Sequence, residues 1–262
     1  MSGLRAVVIV VVIAAVGAAV WYFWPEPAKL PPPLPLPVET PKVVPAEPQG
    51  PQHPIAEAPQ PAPLPTVKES DPALKDAITG IIGADAFARY VVPEQILHHI
   101  VATIDNLPRK TYAQRLNPVK TPGGQFATLG KDDSLAIAPA NAARYTPYVA
   151  VFDAIPTDKA VAAYVHLYPL FQKAYVDLGY PNGYFNDRLV EVIDHLLATP
   201  DVQGPVKLVV PHVLYEYADP DLQSRSAGQK LLIRMGSTNA ASVKAKLREI
   251  RREIAKQDMG QQ

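Results

Sequence analysis

Five charged side chains recur at helical spacing shortly after the middle of the chain. They are Asp187, Arg188, Glu191, Asp194 and His195. On a helix that begins at Asn186, a turn of about 100° per residue places them within roughly a third of the circumference, and apolar residues fill the rest. Glu191 and His195 could therefore ligate a metal or share a proton, with Asp187 one turn earlier. The same spacing is typical of a solvent-exposed face of ion pairs. The zinc order His-Glu-x-x-His is absent, and we predict no metal or other cofactor.

A turn lined by tyrosines precedes this charged face. Tyr180 and Tyr184 flank the dipeptide Asn182-Gly183, which is typical of tight turns. Such rings can stack on sugars or peptides while their hydroxyl groups form hydrogen bonds, although the tyrosines upstream have the helical spacing of a core. The turn and the charged face together form the candidate site for a ligand or partner. Its residues are Tyr180, Tyr184, Asn186, Asp187, Arg188, Glu191 and His195.

Three other patterns carry less chemistry. Adjacent His98 and His99 on one helix point about 100° apart, so they cannot both bind one ion. The pair Gly123-Gly124 has no Lys-Ser or Lys-Thr after it, which a phosphate loop requires. Ser226-Ala227-Gly228 is not a Gly-x-Ser-x-Gly nucleophile motif and has no assigned base. Nucleotide binding and serine-hydrolase chemistry are therefore not supported.

The amino-terminal residues are strongly apolar. From Ala6 to Trp24 the chain carries no charge, and at ~1.5 Å per helical residue this run can cross a ~30 Å hydrocarbon core. We expect an uncleaved transmembrane anchor over residues 1–24, with the carboxyl-terminal part outside the cytoplasm. The alternative, a cleaved signal peptide, usually has a shorter apolar run of ~7 to 15 residues.

A proline-rich linker follows over residues 25–69. About half of the 30 prolines lie between Pro25 and Pro65, so the linker should form a disordered or polyproline-II stalk that cannot pack a core. A Pro-x-x-Pro surface that recruits a partner is the alternative interpretation.

Helical periodicity resumes at Ser70-Asp71-Pro72, and we expect one globular domain over residues 70–257 with a disordered tail at 258–262. Helices are predicted over about 71–82, 84–91, 94–105, 157–178, 186–198, 220–235 and 239–256. Residues 108–150 contain too many Pro and Gly for a helix and should form a small hairpin around Gly130, and 205–217 should be extended. The predicted fold class is mostly α: an N-terminal transmembrane helix, a Pro-rich linker and a helical domain with a minor β-hairpin or edge-strand element.

Charge is balanced overall, with 25 basic and 25 acidic side chains, but it is segregated along the domain. Residues 153–221 are mainly acidic and the last predicted helix is basic. This helix could meet anionic lipid or lipopolysaccharide, or it could pack across the acidic middle with an apolar stripe at Val243, Leu247, Ile250 and Ile254. We expect no nucleic-acid partner. The chain has no cysteine, which excludes disulfides, thiolate metal sites and cysteine nucleophiles.

Four segments carry a family resemblance. They are IVATIDNLPR (100–109), NAARYTPYV (141–149), YPLFQKAYVDLGYPNGYFNDRLVEVIDHLLATP (168–200) and YADPDLQSRSAGQKLLIRMG (217–236). These segments resemble the bacterial family called domain of unknown function 3014, and the similarity covers essentially residues 70–252. The resemblance implies a membrane-anchored envelope protein without an assigned activity, and it supplies no catalytic or ligand residues.

These patterns lead to two hypotheses. In the first, the chain is a non-catalytic binding or scaffold module of the cell envelope. It is held in the periplasm, off the bacterial inner membrane, by the proline stalk and binds a protein or cell-wall partner. In the second, it is an enzyme that hydrolyses an envelope polymer and uses Asp187, Glu191 and His195 as acid-base or metal groups.

Overall fold

The computed structural model describes residues 50–55, 63–111 and 113–259. Its α-helices are α1 (Asp71–Ile82), α2 (Ala84–Tyr90), α3 (Ile96–Asn106), α4 (Ala140–Asp153), α5 (Thr157–Asp177), α6 (Phe185–Leu197), α7 (Pro220–Gln223), α8 (Ala227–Arg234) and α9 (Ser237–Met259). Its strands are β1 (Thr128–Leu129), β2 (Ala136–Ile137), β3 (Leu208–Val209) and β4 (Glu216–Tyr217). All of them belong to one compact unit.

The first three helices agree closely with the predicted ranges. Gly83 separates α1 from α2 with a φ of 84°, a left-handed conformation that glycine adopts without a steric penalty. Asp71, at the start of α1, then accepts the backbone N–H groups of Gln95 and Ile96, each at 2.8 Å. This carboxylate satisfies free donors at the amino-terminal end of α3 and thereby fixes α3 against α1.

Helix α6 connects two hydrophobic cores. The first core lies between α1, α3, α5 and the start of α6, where Phe185 is fully buried and stacks on Phe171 at a ring distance of 5.6 Å. The second core includes Val190 and Ile193 of α6 together with residues of α8 and α9. Burial of one such side chain stabilises the fold by about 1.5–3 kcal/mol. The apolar side chains of α6 are therefore packed in the two cores, and this packing holds its polar residues in fixed positions.

The basic last helix packs across the acidic middle of the domain. Arg251 of α9 forms two hydrogen bonds with the Asp194 carboxylate of α6, at 3.0 and 3.1 Å. Lys244 is buried and donates to Asp201 at 2.6 Å. Leu247 and Ile254 are buried in the second core. Of the two interpretations of the basic helix, the structure therefore supports internal packing.

Two antiparallel strand pairs complete the domain. Thr128 pairs with Ile137 in the first, and Leu208 pairs with Tyr217 in the second. A bridge between Ala136 and Lys207 joins them. Both pairs lie in the segments predicted to be extended. The connection from β3 to β4 exposes apolar side chains, with Val213 at 89% and Leu214 at 76% exposure.

Three predicted features of the helices were wrong. Helix α4 forms where the prolines argued against a helix, although Pro147 lies inside it. The buried side chain of Asn141, in its first turn, hydrogen-bonds both backbone groups of Ala127, and this tertiary contact outweighs the local propensity. Asn186 does not cap α6, since the helix begins one residue earlier. The single helix predicted over 220–235 is broken before Ser226, which caps α8.

The fold class requires one correction. The predicted transmembrane helix, Ala6 to Trp24, lies outside the described residues. Within the described ranges, no helix is long and apolar enough to cross a membrane. The fold described is a mostly helical domain with two small strand pairs and no transmembrane helix.

Two parts of the predicted linker pack on the domain. Leu64 and Val67 contact the first core, and Ile55 contacts the second. The rest of the linker before residue 50 and over 56–62 lies outside the described residues. We refer to residues 50–55 as the strap.

Candidate functional site

The charged residues of α6 do not converge on one point. Asp187 contacts the strap, Arg188 contacts Asp105 of α3, and His195 contacts Ser226 at the start of α8. Glu191 is 64% exposed and accepts a hydrogen bond from Arg188 at 2.8 Å. The helical face predicted from the sequence exists, but its members have separate partners. The contacts of these residues therefore do not form a shared catalytic or metal centre.

A buried carboxylate organises the middle of this face. The Asp105 side chain is 3% exposed and accepts from Arg109 Nη2 at 2.5 Å, from Arg188 Nε at 3.1 Å and from the Tyr180 hydroxyl at 3.1 Å. Arg188 also donates through Nη2 to the backbone carbonyl of Asp105 at 2.8 Å. Every polar atom of the carboxylate thus has a donor, which a buried charge requires.

The two arginines experience this network differently. The hydrogen bond to Asp105 raises the pKa of Arg109, and the charge of Asp105 adds to the effect. For Arg188, burial acts to lower the pKa, but the hydrogen bond to Glu191 and the charges of Glu191 and Asp105 outweigh it, so the pKa is raised. Both guanidinium groups stay charged. Arg188 joins α6 to α3, whereas Arg109, just after α3, joins Asp105 to Tyr180 in the turn before α6.

The tyrosines of the turn serve mainly as structural residues. Tyr180 stacks on Tyr175 at a ring distance of 4.5 Å and is half-buried, with its hydroxyl in the Asp105 network. Burial raises the pKa values of Tyr168 and Tyr175 to about 12. Tyr184 is the residue before α6 and is also half-buried. The upstream tyrosines thus belong to the core, and Tyr184 lies beside the first turn of α6.

The first turn of α6 binds a separate segment of polypeptide. The Asp187 carboxylate accepts the backbone N–H of Gln52 at 3.0 Å and that of His53 at 2.7 Å. Next to it, Asn186 donates from Nδ2 to the carbonyl of His53 at 2.8 Å and accepts from the Tyr164 hydroxyl at 3.0 Å. Two adjacent side chains thereby hold three backbone groups of the strap.

His195 and Ser226 form a contact that resembles a nucleophile and its base. Nε2 of His195 lies 2.8 Å from Oγ of Ser226. However, Ser226 is only 5% exposed, and its Oγ also accepts the backbone N–H of Gln229 at 3.2 Å as the cap of α8. Burial lowers the pKa of His195. The pair therefore joins α6 to α8, and a substrate could not reach the hydroxyl without local opening.

Two concave regions of the described domain lie away from the predicted site. One concave region is lined by Asp71, Gln95 and His98, and a shallower one by Pro65 and Pro169, and neither includes a residue of the predicted site. In the three ranges that the structure describes, no group of three or more His, Cys, Asp or Glu could hold a metal.

Asp105, Arg109 and the strap were not among the site residues predicted from the sequence. A signal for Asp105 was present, since it follows the buried Val101 by four residues and therefore lies on the apolar side of α3. A charge on a buried helix face must be paired. For the strap there was no comparable signal, because its partner lies 134 residues away in the sequence.

The comparisons with known proteins identify a family and nothing further. No curated protein and no solved structure matches the chain. The profile of a family described as a protein of unknown function (DUF3014) matches residues 96–251, which include α3, the charged helix α6 and the Ser226 turn. The chain therefore belongs to the DUF3014 family of proteins of unknown function.

Proposed function

We propose that the domain is a non-catalytic binding or scaffold module whose binding surface is the amino-terminal end of α6. The observation that supports this most directly is the contact of Asn186 and Asp187 with the strap. These side chains bind main-chain groups of an extended segment, and an extended peptide of another protein presents the same groups. The partner of the module would then be a protein.

The arrangement of the remaining candidates favours binding over hydrolysis. A general base must lie within hydrogen-bonding reach of its substrate, and acid-base pairs must act on one bond. Asp187, Glu191 and His195 instead contact the strap, Arg188 and Ser226, respectively. The polymer-hydrolase hypothesis has no common reaction centre in this geometry. A location in the periplasm and a cell-wall partner stay predictions from the sequence.

Photo-crosslinking in cells tests the proposal. A photoreactive amino acid replaces Tyr184 in the full-length chain, and the matched control carries it at exposed Lys75 on α1. We expect position 184 to capture a recurring protein that Lys75 does not, and Asp187→Asn should abolish this capture. Asp158→Asn should preserve it, because Asp158 is an exposed first-turn carboxylate of α5 without a contact to the strap. Capture of glycan, or of nothing beyond the Lys75 background, would contradict the proposal.

A further inference from the structure

We infer that the strap is an internal ligand and that the end of α6 is a recognition site for extended Pro-x-x-Pro peptides, closed in cis by residues 50–55. The inference rests on the proposed function and adds the class of ligand and the way in which the site is regulated. Its evidence is the pattern of backbone contacts, the proline positions in the strap and the rigidity of the site.

The site recognises the main chain of the ligand. Asp187 takes two consecutive N–H groups, and Asn186 donates to the carbonyl that follows them. Gln52 and His53 must therefore be residues with a backbone N–H. Pro51 and Pro54 flank them and lack this group, but no hydrogen bond to the site is lost there. Pro54 also restricts His53 to an extended conformation, which reduces the entropy that binding must overcome.

The receptor side is preorganised. Asn186 is 1% exposed, and the Tyr164 hydroxyl fixes the orientation of its amide. Tyr164 itself packs against Phe171 and Phe185 at ring distances of 5.3 and 6.4 Å. When the strap leaves, the amide hydrogen of Asn186 and both oxygens of Asp187 remain in place without their partners. Another peptide can form the same hydrogen bonds with the Asn186 amide and the Asp187 carboxylate, so the site can bind a ligand in place of the strap.

The spacing of prolines up to and within the strap indicates which peptides the site recognises. Prolines recur every third residue at 45, 48, 51 and 54, which provides three Pro-x-x-Pro units in succession. A polyproline-II helix also has three residues per turn, so a peptide in that conformation repeats such prolines on one side. Only the last unit is followed by an aliphatic residue, Ile55, and Ile55 packs against the second core. We therefore include an aliphatic residue directly after the second proline in the recognised pattern.

The tether makes the site closed in cis. Seven residues, 56–62, separate the strap from residue 63, where the described chain resumes. A short linker of this kind gives an effective concentration in the millimolar range, so a peptide in trans must compete with a covalently attached one. A partner segment gains access when the strap is displaced or pulled away.

Binding of a fluorescent peptide Gly-Pro-Gln-His-Pro-Ile to the full-length chain, measured by anisotropy, tests the inference. The double variant Q52P/H53P lacks both N–H donors of the strap and keeps the receptor side chains. We expect its apparent Kd for the peptide to fall at least tenfold relative to the unmodified chain, since a site that is open less than a tenth of the time becomes fully open. Adding Asp187→Asn to this variant should remove the gain, and adding Asp158→Asn should not.

Amide hydrogen exchange of Gln52 and His53 gives a second readout that needs no peptide. Exchange should be slowed in the unmodified chain and in Asp158→Asn, and fast in Asp187→Asn. Equal exchange in all three, or a peptide affinity that Q52P/H53P leaves unchanged, would overturn the inference. A further outcome is that the amides are protected and Q52P/H53P binds the peptide more tightly while the photo-crosslinker at Tyr184 captures no protein. In that case the strap is an internal ligand, and the proposed function is wrong.

Discussion

Replacing Asp105 by asparagine removes the one charge on which Arg109, Arg188 and Tyr180 converge. The substitution preserves the size of the side chain and one acceptor oxygen, so it changes the charge without creating a cavity. The Asp105 side chain is 3% exposed and that of Arg188 is 18% exposed, whereas Arg109 is 52% exposed. The loss therefore falls mainly on the contact with Arg188.

The size of the effect follows from these burial values. Removing one member of a buried ion pair costs about 3–5 kcal/mol, because the other charge stays buried without a partner. Glu191 still accepts from Arg188 and compensates a part, so we expect Asp105→Asn to lower the free energy of unfolding by about 3 kcal/mol. Arg109→Ala should lower it by about 1 kcal/mol or less, because half-exposed ion pairs contribute little.

Urea denaturation followed by far-UV circular dichroism measures the difference, since the helices dominate that signal. With a denaturant slope of about 2 kcal/mol per molar, Asp105→Asn should shift the midpoint by roughly 1.5 M. The matched control is Asp177→Asn. It removes an ion pair to Lys173 that has the same i, i+4 spacing as the pair of Asp105 with Arg109, but the Asp177 side chain is 50% exposed. It should change the free energy of unfolding by about 0.5 kcal/mol or less. A loss below about 1 kcal/mol for Asp105→Asn would refute the reasoning.

Three further predictions concern packing, pH and the exposed connection from β3 to β4. A Cβ at Gly228 would lie 2.7 Å from a methyl carbon of Leu196, so Gly228→Ala should destabilise by about 1–3 kcal/mol in urea denaturation. Gly80→Ala, whose Cβ would have no neighbour within 4 Å apart from the adjoining backbone of its own helix, should stabilise by up to about 1 kcal/mol. If Gly80→Ala destabilised the protein more than Gly228→Ala, the packing argument would be contradicted. Burial lowers the pKa of His195 in the folded chain. As the pH falls below about 6.5, His195 therefore binds a proton in the unfolded chain before it does so in the folded chain. Stability should therefore be complete above that pH and decrease towards pH 5, and His195→Gln should flatten the urea midpoints measured at pH 7.5 and 5.5. Leu214→Ser should change the free energy of unfolding by less than about 0.5 kcal/mol and raise solubility, because this side chain is already 76% exposed.

Local sequence patterns predicted most of the helices because their signals lie within a few residues of each other. The period of apolar residues identified α1, α3 and α6, and glycine at position 83 marked the end of α1. The division of α6 into an apolar and a charged face was also readable, since both faces follow from one helical repeat. The existence of a charged surface at 187–195 was therefore determined by the sequence alone.

What that surface binds was decided by contacts between residues far apart in the chain. Asp105 reaches Arg188 across 83 positions, and His53 reaches Asp187 across 134. Helix α4 likewise forms around Asn141 despite Pro147, because its tertiary hydrogen bonds outweigh a local preference. Helical periodicity shows which side of a helix is polar, but the partner of each polar group depends on how the helices pack. In the tertiary structure the residues of the candidate site are therefore divided among an ion-pair network around Asp105, a contact of His195 with the cap of α8 and a contact of Asp187 with the strap.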